Sequence, residues 1–73
     1  MNEQEQMKLS MVKDLALLLM GDDPSMSMEQ ALSVVLNSDT YLRLQNDATR
    51  LYYQSPRYVY SFLENELKTG MVR

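Results

Sequence analysis

Apolar side chains recur along this chain at helical intervals, and that recurrence limits the fold more than any other feature. Met11, Val12, Leu15, Leu18 and Leu19 stand at i, i+1, i+4, i+7 and i+8, positions that share one face of an α-helix. Val59, Phe62, Leu63 and Leu67 repeat the pattern near the other end. Two Gly and two Pro punctuate 73 residues, which favours helices over many short strands. The expected fold is all-α, a small three- to four-helix bundle formed by residues 1–73 as one domain.

The first helix is expected over about residues 3–20, with Gly21 as a left-handed C-cap and Pro24 in "GDDPS" blocking continuation. A second helix spans about 28–37. Its start carries a capping box, in which Ser27 accepts from the backbone of Gln30 and Gln30 reaches back. Met28, Ala31, Leu32 and Val35 mark its buried stripe. A third helix covers about 39–45 and buries Tyr41 and Leu44. Tyr41, Leu44, Ala48, Leu51 and Tyr52 also fit one continuous helix through 46–52, but "QND" reads as a turn because Asn and Asp side chains compete for their own backbone. A break and a short extended segment over 51–54 are expected there. The last helix covers about 56–68, with Ser55 as N-cap and Pro56 at the first helical position. Gly70 closes it, and the terminal "MVR" is expected to fray.

A domain this small has a core that supplies about 3–5 kcal/mol of net stability. There is no Cys, so no disulfide or thiolate metal site adds to it. There is no His either, which removes the commonest acid–base group and metal ligand. Self-association is the remaining reinforcement. The charge balance is seven Lys and Arg against ten Asp and Glu, a net of −3, and the basic residues are scattered. That argues against nucleic acid as a partner, since phosphate binding needs concentrated positive charge. The longest apolar run, Leu15 to Met20, is six residues, far below the ~20 of a membrane span. The start, "MNEQEQMK", has no basic region of the secretory kind. The expectation is a cytoplasmic protein with no membrane partner.

Four of the five tyrosines lie in "YYQSPRYVY". Tyr58 and Tyr60 are expected on the two borders of the last helix's apolar stripe, about 160° apart at 100° per residue. An extended segment would send Tyr52 and Tyr53 to opposite sides. Such rings serve packing and hydroxyl anchoring, with Tyr53 and Tyr58 the candidates for a protein-binding rim; they cannot form one stacking platform for bases. Two further residues break the pattern. Leu17 lies about 160° round the helix from Leu15, loosely flanked by Leu9 and Met20. Either the first helix is central in the bundle, or Leu9, Leu17 and Met20 meet a second copy in a homodimer, or Leu17 is a lone exposed side chain. Glu66 projects inside the apolar stripe of the last helix. It is an internal latch bonded to a tyrosine hydroxyl, Arg43 or Arg50, or an interface anchor, or the last turn already lies at the surface.

Catalytic signals are absent. Without His and Cys the usual triads, dyads and zinc sites cannot be built. Asp22 with Asp23, and Glu64 with Glu66, lack the opposed geometry of carboxylate catalysis. "DDPSMSME" lacks calcium-loop spacing. No cofactor and no enzymatic activity are expected. Met7, Met11, Met20, Met26 and Met28 read as core filling rather than as an adaptable binding groove. The second and third helices suggest helix-turn-helix only superficially, because "DTYLRLQND" offers one Arg and two Asp to a major groove.

From Ala31 onward, "NSDTY", "LYYQS" and "YVYSFLENEL" follow one another. The order resembles a group of small bacterial proteins of unassigned function that share an NSDTY-type turn, then LxxxxTxLYYQS, then YVYxxLxxEL. The likeness covers about half the chain. In that group Thr49 is usually followed by Gly; here Arg50 takes the place. Members look like small accessory genes, sometimes beside toxin–antitoxin-type pairs. The resemblance implies an accessory or antitoxin-like module that binds an unknown protein partner, with an atypical helix-turn-helix nucleic-acid-binding regulator as the alternative.

Overall fold

A computed structural model describes residues 2–69. Four α-helices follow in order: α1 (Glu3–Asp22), α2 (Met28–Leu36), α3 (Asp39–Gln45) and α4 (Pro56–Thr69). Between α3 and α4 lie two single 3-10 turns, Asp47–Thr49 and Leu51–Tyr53. No strand occurs among the described residues. The chain folds as a small all-α bundle.

Each helix starts where a polar side chain satisfies its first N–H groups. Asn2 opens α1 with a capping box, its Oδ1 accepting from the Glu5 N–H at 2.8 Å. Ser27 and Gln30 form the expected box at α2. The Ser38 hydroxyl accepts from the Tyr41 N–H at the start of α3, and the Ser55 hydroxyl from the Tyr58 N–H at α4. The end of α1 differs from expectation. Gly21 remains inside the helix, which continues to Asp22. The stop comes one step later, where the Asp23 carboxylate accepts from both the N–H and the hydroxyl of Ser25 around Pro24. The expected closure at Gly70 and the terminal "MVR" lie outside the described residues.

α1 packs most extensively on α2 and then on α4, while α3 leans on α4. Leu15, Ala16, Ala31, Val35, Leu44, Val59 and Leu63 are fully buried. Met7, Met20 and Met26 pack against this core and Met11 lies within it, so methionine does fill the interior. Two expected stripe residues fall outside: Met28 and Leu67 are 36% and 45% exposed. Met28 opens α2 and Leu67 lies in the last turn of α4. Thr40 and Tyr60 are buried in their stead.

The region 46–54 departs furthest from expectation. The chain does break after Gln45, where the Asn46 side chain accepts from the Ala48 N–H. Leu51 to Tyr53 is a 3-10 turn, not an extended segment. Arg50 joins the two turns in the left-handed region at φ 54°, ψ 28°. That single reversal lets Leu51 and Tyr52 turn inward while Tyr53 stays outside.

Candidate functional site

The tyrosine segment divides into two anchors and two exposed rings. Tyr52 is buried, and its hydroxyl accepts from Gln4 Nε2 at 2.9 Å. The Lys8 ammonium lies 5.6 Å from the centre of the same ring, within cation–π range. Tyr60 is also buried, and its hydroxyl donates to Asp22 Oδ2 at 2.5 Å. Burial, and then the bond to Asp22, hold its phenolic proton well above the ordinary tyrosine range. Tyr60 thus buries its ring and anchors its hydroxyl on a carboxylate at the surface. Tyr53 is 59% exposed, its ring centroid 4.7 Å from that of Tyr52. The tight turn puts these rings side by side, where an extended strand would have parted them. Tyr58 is 51% exposed and meets Phe62 edge-on, with centroids 5.1 Å apart.

Glu66 is a latch, with partners that differ from those expected. Its carboxylate accepts from the Asp39 N–H at 2.7 Å, and from the Thr40 N–H and hydroxyl at 3.0 and 2.9 Å. It thus caps the first turn of α3 from α4 and neutralises donors that no residue of α3 satisfies. Neither a tyrosine hydroxyl, Arg43 nor Arg50 bonds it. Arg43 lines the same hollow of about 290 Å³ without pairing with the carboxylate. At the other end of α3 the Lys8 ammonium donates to the Gln45 carbonyl at 3.3 Å and to Asp47 Oδ1 at 2.6 Å. α3 is bracketed by a carboxylate from α4 and an ammonium from α1.

The three residues grouped as a dimer face differ in exposure and in surroundings. Met20 is half-buried against the core. Leu9 is 56% exposed in a hollow with Glu5, Lys8 and Gln45. Leu17 is 46% exposed on another side, beside Leu18, Pro56 and Arg57. On a helix, Leu9 and Leu17 point about 80° apart and Leu9 and Met20 about 20°, within the width of one helix face.

Two adjoining hollows, of about 430 and 420 Å³, follow α1 where the 52–57 segment crosses it, and they share Asp14 and Pro56. Met7, Met11 and Tyr52 line the first and Leu17 and Leu18 the second. Glu3 stands at one end and Arg57 at the other. Sequence reasoning missed this groove, although the out-of-pattern Leu17 was a signal for it. Among the described residues no three His, Cys, Asp or Glu side chains group to hold a metal ion. No described helix is long and apolar enough to cross a membrane. No protein-family model, curated protein or solved structure matches the chain.

Proposed function

We propose that this chain is a small non-catalytic module that works by binding another protein, in an accessory or antitoxin-like role in the cytoplasm. The observation that carries the reading is the pair of exposed rings, Tyr53 and Tyr58, each held by an aromatic neighbour. Tyr53 rests on the anchored Tyr52, and Tyr58 on Phe62. A ring already fixed in place loses little freedom on contact, and this is why tyrosines serve as binding anchors. The resemblance at "LYYQS" and "YVY" agrees with an accessory role.

A helix-turn-helix regulator is the alternative, and the first turn of α3 weighs against it. That turn carries Asp39 and the Glu66 carboxylate, so it would meet a phosphate with negative charge. The test is affinity capture of the tagged chain from its native host, then titration of the purified captured protein in a calorimeter. Tyr53→Ala and Tyr58→Ala should weaken that binding at least tenfold while leaving the circular dichroism unchanged. A specific, salt-sensitive shift of DNA with no protein captured would reverse the order of the two readings.

A further inference from the structure

The groove along α1 resolves the placement of Leu17, and its chemistry defines an occupant. Its walls come from different parts of the chain, α1 on one side and the 52–57 segment on the other. Met7, Leu18 and Pro56 are half-buried in it, and Leu17 is exposed. An apolar floor of this kind receives apolar side chains.

The charges define the rest. Asp14 is half-buried and lines both hollows, with Arg57 the cation at the far end of the second. Among the described residues no side chain pairs with its carboxylate or with that of Glu3. Glu3 and Asp14 stand eleven positions apart in α1, three turns of helix or about 16 Å. A second helix laid alongside presents side chains at that same interval. A nucleic acid or an anionic lipid surface would bring phosphates against these carboxylates. A second copy of this chain carries Arg57 and Lys68 at an eleven-residue interval on α4, but Ser61, Glu64 and Asn65 lie between them. That face would leave the apolar floor uncovered.

We propose that this groove receives an amphipathic helix of the partner protein. Lys or Arg side chains of that helix face Glu3 and Asp14, and its apolar side chains cover Met7, Leu17 and Leu18. The proposal rests on the reading of the chain as a protein-binding module, and it names the surface and the chemistry of what binds there. The mode is helix-in-groove recognition, with apolar anchors at helical spacing and charges setting register.

The test uses the intact 73-residue chain and a synthetic 18-residue peptide. The peptide has Leu at helical a and d positions and Lys beside them; controls are a scrambled peptide and one with Glu for Lys. Amide shifts are mapped by NMR and affinity is read by fluorescence anisotropy. Saturable binding by the Lys helix alone is expected, with the largest shifts at Ser10, Asp14, Leu18 and Gln54. Asp14→Lys and Leu17→Glu should each weaken it at least tenfold, and Leu42→Glu, away from the groove, should not. Equal binding of the scrambled peptide, shifts centred elsewhere, or no effect of both groove variants overturns the proposal. The captured partner separates the two levels. If it binds the Asp14→Lys and Leu17→Glu variants as tightly as the unaltered chain, the groove is wrong and the binding-module reading stands. If the unaltered chain captures no partner, the module reading itself fails.

Discussion

Replacing Glu66 with Ala should cost about 2–4 kcal/mol of stability, and the structure supplies the reasoning. Three donors lose their acceptor. The Asp39 N–H is at an exposed residue, so water takes over and its loss costs about 0.5–1 kcal/mol. Thr40 is 2% exposed, so its N–H and hydroxyl cannot both find water. A buried donor left unmatched costs about 1–3 kcal/mol, and the freely turning hydroxyl recovers part of that. Loss of a helix cap by itself costs about 1 kcal/mol. Against the about 3–5 kcal/mol that caps a domain this small, the variant would lose roughly two-fifths of its stability or more. In thermal unfolding the midpoint should fall by about 10 °C or more. Glu66→Gln keeps one oxygen for Thr40, loses the charge and turns an amide toward Asp39, and it should cost about 1–2 kcal/mol. Urea unfolding followed by circular dichroism measures both. A double-mutant cycle with Thr40→Val should show coupling above about 0.5 kcal/mol. If Glu66→Ala stays within about 0.5 kcal/mol of the unaltered chain and shows no coupling to Thr40, the carboxylate is a surface group and the latch is wrong.

Arg50→Gly should raise stability by about 0.5–1 kcal/mol, because relief of the left-handed backbone outweighs the added freedom of the unfolded chain; a lower urea midpoint would refute this. Tyr60 gives a pH dependence of definite sign. Its proton is held more tightly in the fold than in the unfolded chain, so its contribution is complete below about pH 10, the unfolded value, and is lost as pH rises through the higher folded value. Urea midpoints should therefore decline above about pH 10 and decline less steeply in Tyr60→Phe; parallel profiles would remove the Asp22 bond from the account. Leu9→Glu and Leu17→Glu should leave the mass by light scattering at high micromolar concentration unchanged, since Leu9 and Leu17 line different hollows; a change from dimer to monomer in both would show a shared dimer face.

What the sequence made legible was local. Ser27 with Gln30 and Ser55 with Pro56 announce two helix starts within four residues of chain, and the structure begins α2 and α4 there. "QND" ended α3 where its side chains suggested. The features that stayed hidden are joined across long separations. Glu66 was visible as a carboxylate in an apolar stripe, but its donors lie 26 and 27 residues away and nothing local points to them. Tyr60 reads as a border residue, but the Asp22 carboxylate that accepts from its hydroxyl lies 38 residues away. Arg50 gives no residue-type signal for a positive φ, so the segment reads as extended. The groove is the clearest example, since neither α1 nor the 52–57 stretch contains it alone.

The charges at the two ends of α3 have a consequence for how the molecule opens. A helix of seven residues has little stability in isolation. Here its amino end depends on α4 and its carboxyl end on α1. Fraying of either neighbour therefore releases α3 as well. Its amide protons should exchange with solvent at a free energy no higher than that of the easier of these two openings, so that the shortest helix reports on the integrity of both neighbours.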